Sequence, residues 1–124
     1  KFMSRTEALN KTLQDIQSSS ADVEACAVVS EDGLIIASSL PQNVEETAVA
    51  AMSAAMLSMG TRTAAELKRG QLSQLFVKGT QGYVLIMSAG PHAVLLALAR
   101  TDAKLGLIFL DASRAADRVR DIIS

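Results

Sequence analysis

The sequence has almost none of the residues from which metal-binding or disulfide-stabilised sites are built. It contains one cysteine, Cys26, one histidine, His92, and no tryptophan in 124 residues. A single cysteine cannot form an internal disulfide, and one cysteine with one histidine falls short of the four ligands of a structural zinc site. Because Cys26 lies within the apolar run ACAVV, we expect a buried and unreactive thiol.

An excess of charge of either sign is also absent. The chain has 12 basic and 13 acidic residues and a formal net charge of -1, which removes the electrostatic basis for strong binding to nucleic acid or to an anionic membrane. The longest apolar stretch is too short for the roughly 20 residues that insert across a bilayer, and no secretory signal is visible. We therefore expect a cytoplasmic protein. Lys1 and Phe2 before Met3 predict a short added or disordered leader, with Met3 as the native start.

Sequence motifs of catalysis are missing as well. The chain contains neither a P-loop pattern, G-x-x-x-x-G-K-[ST], nor a G-x-S-x-G nucleophile elbow. We therefore expect no catalytic residue, no cofactor and no metal ion. Asp32-Gly33 and Gly79–Gly82 predict hairpin turns, and His92 is expected in a solvated turn. Arg62 and Arg69 have the chemistry of an arginine finger, but helix-end contacts and salt bridges explain them more simply.

What the sequence does contain is a regular series of helix and strand patterns. The length predicts one domain, covering residues 1–124. Apolar residues at helical spacing predict three helices, at about 4–19, 44–68 and 104–123. Apolar runs separated by short turns predict five antiparallel strands, at 24–30, 33–39, 72–79, 83–89 and 93–99.

The central strands show no polar alternation. Val84 to Met87 and Val94 to Leu96 are continuous apolar runs, whereas a half-solvated antiparallel strand would alternate. Helices must therefore cover both faces of the sheet. The sequence predicts a three-layer α/β/α sandwich of order α-β-β-α-β-β-β-α, with the long second helix alone on one face.

The second helix lacks a charged face over residues 47–61, TAVAAMSAAMLSMGT. On a helical wheel its bulky side chains form a Met stripe, which we expect to pack on the sheet. Its small Ala and Ser side chains are expected to approach a second helix, because a monomer would otherwise expose a long apolar strip. The Met stripe consists of Val49, Met52, Met56, Met59 and Thr63.

The third strand gives a separate reason to expect self-association. If it lies at a sheet edge, its backbone groups are unpaired and only Lys78 protects them from pairing with another chain. We therefore predict an interface for a second copy or another partner. The predicted interface residues are Ala51, Ala54, Ala55, Ser58, Arg62, Leu72, Gln74, Leu75 and Phe76.

Three segments in this order resemble the Roadblock / dynein light-chain domain family: EDGLIIASSLP, LKRGQLSQLFVKGTQGYVLIM and AVLLALARTDAKLGLIFLDASRAADRV. The resemblance covers about Glu7 to Ile122. Its specific features are a glycine-ended second helix leading into Gly70–Gln74, the Gly82-Tyr83 hairpin, and Leu105–Leu107 at the start of the last helix.

The resemblance implies a five-stranded antiparallel sheet, with the second helix on one face and the terminal helices on the other. It also implies a homodimer, or a heterodimer with a related domain, in which the second helices pack together and the third strands pair. Family members typically act as non-catalytic regulators or platforms for small Ras-like GTPases, and others are dynein subunits. We therefore expect a homodimeric module that binds and regulates or scaffolds such a GTPase.

A second hypothesis is a small-ligand sensory or signalling-scaffold domain of the profilin-like type, built on a similar sheet. It predicts a concave pocket with a few convergent polar groups. The aliphatic strand interiors offer few such groups.

Overall fold

The computed structural model describes residues 3–124, so the predicted leader residues Lys1 and Phe2 lie outside the described residues. The predicted element order is confirmed, with bounds that differ by up to two residues. The elements are α1 (Arg5–Ser19), β1 (Val23–Ser30), β2 (Ile35–Ser39), α2 (Glu46–Glu66), β3 (Gln74–Gly79), β4 (Gly82–Ser88), β5 (Ala93–Ala99) and α3 (Leu105–Ile123).

The five strands form one antiparallel sheet in the order β2-β1-β5-β4-β3. Helices α1 and α3 pack together on one face, and α2 lies on the other. The predicted three-layer sandwich is thus confirmed. The strand order places β3 at one edge of the sheet and β2 at the other, which matters for the interaction surface described below.

Two apolar cores, one on each face of the sheet, explain why the central strands are apolar throughout. In β5, Leu95 packs towards α1 and α3, whereas Val94 and Leu96 pack towards α2. Leu9 of α1 and Ile108 of α3 close the first core. Burying a side chain of this size stabilises the fold by about 1.5–3 kcal/mol, so both layers of helices are needed to cover β5.

The end of α2 differs from the prediction that a glycine terminates it. Lys68 adopts a left-handed conformation with φ 57°, its N–H bonds to the carbonyl of Ala65 at 3.1 Å, and the Arg69 N–H bonds to that of Ala64 at 2.7 Å. This pattern is a Schellman cap in which lysine occupies the position usually held by glycine. Gly70, the expected terminator, lies two residues further on.

Cys26 is fully buried, and its Sγ lies 3.6 Å from the carbonyl oxygen of Leu13. Burial raises the pKa of the Cys26 thiol to about 12, so the reactive thiolate is scarce at pH 8. We expect the folded protein to resist alkylation by iodoacetamide at pH 8, and the urea-unfolded chain to react fully. Mass spectrometry of the labelled protein measures both. Equal labelling rates in the two states would contradict the burial.

Candidate interaction surface

Helix α2 covers only part of its face of the sheet. It packs mainly against β1 and β2, where its small residues Ala50 and Ser53 are buried. At Gly60 a Cβ would lie 3.1 Å from Leu72 Cδ2, so the glycine permits close approach of the segment before β3. The sheet beyond this line of contact is open, and Val77 of β3 is 45% exposed.

The prediction that the Met stripe packs on the sheet is confirmed only in part, because Val49 and Met56 are half-buried and pack against the core on this face, while the other members are exposed. Met52 is 66% exposed and Met59 is 62% exposed. The fully buried residues of the helix are small, and they let its backbone come close to the strands. The stripe borders the open space above β3 and β4.

That space consists of two adjoining grooves of about 490 and 450 Å³ that share Met56. We call the pair the α2–β3 trough. The first groove is lined by Val44, Val49, Met52, Ser53, Ala55, Met56, Val77, Val84, Leu96 and Leu98. The second is lined by Met56, Met59, Gly60, Thr63, Ala64, Leu67, Arg69, Leu72 and Leu75. The trough is therefore apolar along nearly its whole length.

The predicted interface residues of α2 do not all share one environment. Ala51, Ala55 and Ser58 are exposed, and of these Ala55 lines the trough. Arg62 is exposed and donates to Glu66 Oε1 at 3.4 Å. Ala54 is half-buried against the β1–β2 turn. A Cβ added to Gly33 of that turn would lie 3.5 Å from the Cβ of Ala54.

The predicted interface residues around β3 are divided between the two faces of the sheet. Leu72 and Leu75 line the trough. Phe76 lies on the opposite face, where its ring packs edge-on against Phe109 with centroids 5.7 Å apart. Gln74 is exposed and shares the Phe76 face, because side chains alternate along a strand. The structure thus brings only part of the predicted set together.

The predicted interface omits four exposed apolar residues that belong to the trough: Met52, Met59, Leu67 and Val77. All four line the trough. The Met stripe was a usable signal in the sequence, but it was assigned to the sheet. The alternation of side chains along β3 places Val77 on the same face as Leu75, because the two are two residues apart. Val77 could therefore have been added to the predicted interface.

The outer edge of β3 is weakly protected. Its one charged residue, Lys78, places its Nζ 6.0 Å from the centre of the Tyr83 ring, on the neighbouring strand. Phe76 and Val77 are each 45% exposed. An edge strand with unpaired backbone groups and little charge is open to pairing with a strand of another chain.

The polar groups elsewhere form small, exposed contacts. His92 Nδ1 lies 3.0 Å from Glu31 Oε1, and both side chains are at least half exposed. Arg69 Nε donates to the carbonyl of Leu67 at 3.3 Å. Among residues 3–124, no cluster of His, Cys, Asp and Glu side chains could hold a metal ion. Over the same residues, none of the helices combines the length and hydropathy required to cross a membrane.

Comparison with known proteins relates this fold to one family. The sequence model of the Roadblock/LC7 domain matches residues 9–99. An uncharacterized protein of Methanocaldococcus jannaschii is 39% identical over 98 residues, which cover 79% of this chain and 85% of that protein.

Solved structures with low sequence identity share the fold. Myxococcus xanthus MglB superimposes with a TM-score of 0.88 at 18% identity, over 99% of this chain and 92% of that one. A structure described as MglB with a tetrameric arrangement gives a TM-score of 0.88 at 18% identity, over 98% and 92% of the two chains. At this identity the likeness concerns the fold alone.

Proposed function

This chain belongs to the Roadblock/LC7 domain family, and on that premise we propose that it is a non-catalytic, dimeric interaction module that binds a small Ras-like GTPase and regulates or positions it. The structural observation that supports the dimer is the α2–β3 trough, an apolar surface beside an open sheet edge.

A second copy of the chain fits this surface. The trough exposes Met52, Met59 and Leu67 together, and soluble monomers rarely leave a contiguous apolar patch of this kind in water. The α2 helix of a second copy would bring a matching apolar stripe, while its β3 edge could pair with this one. The tetrameric arrangement described for MglB, which has the same fold, supports self-association as a property of the fold.

The GTPase assignment rests on the family. Roadblock-type domains typically serve as regulators or platforms for small Ras-like GTPases, and this chain resembles them along nearly its whole length. A dimer would offer such a partner a surface wider than one protomer. The chain would then act by binding one nucleotide state more tightly than the other, because a ligand shifts an equilibrium only by its differential affinity for the two states.

The test uses the immobilised chain and purified small Ras-like GTPases from the source organism, each loaded with GDP or with a non-hydrolysable GTP analogue. We expect one GTPase to be retained preferentially in one nucleotide state. Its hydrolysis and nucleotide exchange rates, measured with and without the chain, give the direction of regulation. Light scattering of the chain alone measures the dimer separately.

Three results would contradict parts of this proposal. A monomeric chain at micromolar concentration would remove the dimer. A dimer that retains no GTPase would remove the GTPase assignment and leave a self-associating scaffold. A metabolite that raises the melting temperature saturably, with no GTPase bound, would favour the small-ligand sensory domain instead.

A further inference from the structure

A second apolar surface lies on the other face of the sheet, around the first turns of α3. Phe76 is 45% exposed, Leu110 is 47% exposed and Leu107 is 57% exposed. The ring of Phe76 packs against the ring of Phe109, the residue before Leu110. Leu107 and Leu110 are three residues apart, a spacing that makes them neighbours on a helix. Single exposed apolar side chains are common on proteins, but these three lie close together, and we call them the α3 patch.

The packing of α3 against the sheet does not account for the patch. Leu107 and Leu110 lie outside the buried side of the helix, which consists of Ile108, Ala112, Ala115, Ala116 and Val119. Gly106 lies one turn before Leu110, and a Cβ added to it would meet no atom within 4 Å. Glycine is a poorer helix former than alanine, and no contact within the chain requires it at this position. The helix backbone at Gly106 is therefore open to close approach by a partner.

Basic side chains surround the α3 patch. Lys78 follows Phe76 by two residues and so shares its face of β3. Arg114 follows Leu110 by four residues and so lies beside it on α3, and Lys104 immediately precedes the helix. All three cations are exposed, and within residues 3–124 none of them forms an ion pair.

Nearby acidic residues do not neutralise these cations. Asp111 is half-buried and lines the groove between α1 and α3, and Asp22 accepts the backbone N–H of Lys104 at 3.4 Å. Lys104 also stands at the positive end of the helix dipole, where an acidic residue would stabilise the helix. The stability of α3 therefore does not explain the charge of Lys104.

We propose that the α3 patch is a docking site for an amphipathic segment of a partner protein, whose apolar side chains cover the patch and whose acidic side chains pair with the surrounding cations. Burial of the apolar centre supplies most of the affinity in such an interface, and the charges at its rim select the partner and its orientation. The patch is on the opposite face of the sheet from the α2–β3 trough, so a second copy bound in the trough would leave it accessible.

A protein segment fits this site better than a membrane surface does. Basic clusters that bind anionic membranes typically contain about 4–8 Lys and Arg residues, whereas three cations surround the α3 patch. The chain as a whole has a formal net charge of -1. Three cations spaced around an apolar centre can instead be matched one by one by the acidic residues of a peptide.

The experiment uses the full chain and a fluorescent amphipathic peptide of about 14 residues, four turns of helix. The peptide carries leucines at helical spacing along one side and glutamates on the other. The control peptide has lysine at every glutamate position. Fluorescence anisotropy at low salt measures both dissociation constants. We expect the acidic peptide to bind at least about tenfold more tightly than the basic peptide, and its affinity to fall as salt is added.

Two variants test whether the peptide binds at the α3 patch. Leu110→Ser removes an apolar contact and Arg114→Glu reverses a charge at the rim, and we expect each to weaken binding of the acidic peptide at least about fivefold. Leu34→Ser and Arg5→Glu are the matched controls, because they make the same changes at exposed residues outside the patch, and they should bind as the unmodified chain does. Circular dichroism checks that all four variants are folded.

Three results would overturn this proposal. The first is equal binding of the two peptides, or binding of neither. The second is binding of the acidic peptide that Leu110→Ser and Arg114→Glu leave unchanged, because the peptide would then occupy another surface. The third is tighter binding to phosphatidylserine vesicles than to the acidic peptide, weakened by the same two variants, which would make the patch a membrane-binding surface.

The outcome is independent of the proposed function. Light scattering of Leu110→Ser and Arg114→Glu should show the same molar mass as the unmodified chain, because neither residue lines the trough. Failure of the peptide to bind would therefore leave the dimer and the GTPase assignment standing. A monomeric unmodified chain that binds the acidic peptide would remove the dimer and keep the docking site.

Discussion

Met52→Glu is expected to convert the dimer into a folded monomer. Met52 is 66% exposed in the single chain, so a glutamate there can be solvated and should leave the fold of the monomer stable. In the proposed dimer the same position is covered by the second copy, and an unpaired carboxylate would lose its hydration. We expect a cost of about 3 kcal/mol or more, which raises the dissociation constant at least about a hundredfold.

Light scattering over a concentration series measures this change, with circular dichroism as a test of folding. Ala55→Glu provides an independent variant at a second exposed residue of the first groove. Leu107→Glu is the control, because Leu107 is a similarly exposed apolar residue on α3, on the opposite face of the sheet. If Met52→Glu remained a dimer and Leu107→Glu became a monomer, the interface would lie on the terminal helices and not on α2.

The elements of the fold could be predicted because their determinants are local. Continuous apolar runs bounded by turn residues located the strands. For β5, Ala93–Ala99, both the first and the last residue were predicted correctly. The Asp-Gly pair at 32–33 predicted the first hairpin, and Gly33 there has a φ of 82° that favours glycine. The absence of polar alternation in β4 and β5 then required helices on both faces. Each step used residues close together in the chain.

The orientation of α2 could not be predicted in the same way, because the helix is apolar on more than one side. The periodicity separates large side chains from small ones, but it does not say which set faces the sheet. The distance between the helix backbone and the rest of the fold decides which set faces the sheet. That distance depends on tertiary contacts such as the one between Gly60 and Leu72, which exists only in the folded chain. The helix end at Lys68 was not predicted for a different reason. Gly70, two residues later, offered a stronger local signal for the end of the helix.

The predicted interface around β3 was incomplete for a geometric reason. Leu75 and Phe76 are consecutive residues of a strand, so their side chains point to opposite faces of the sheet. A partner lying in the trough would touch Leu75 and not Phe76. Only backbone pairing along the edge of β3 would involve both residues. The two kinds of contact therefore require different mutations. Side-chain substitutions in the trough test packing of a partner in the trough, and they do not test backbone pairing along β3.

Gly82→Ala is expected to destabilise the fold more than any surface change considered above. Gly82 opens β4 with a φ of 147°, a conformation that residues with a Cβ rarely adopt. A Cβ at this position would lie 2.5 Å from the carbonyl oxygen of Ala99 at the end of β5. The clash is with backbone, so it can be relieved only by moving β4 away from β5. We expect a loss of about 3 kcal/mol or more in the free energy of unfolding.

Gly79→Ala is the matched control, because Gly79 pairs with Gly82 across the same turn and a Cβ there would meet its nearest atom at an ordinary 3.5 Å. Urea unfolding should show a much smaller loss for Gly79→Ala than for Gly82→Ala. Both variants must be measured at one protein concentration, because dimer formation contributes to apparent stability. Equal losses would mean that the turn itself limits stability. A loss confined to Gly82→Ala would show that stability depends on the backbone conformation of Gly82 and on its close approach to Ala99 at the end of β5.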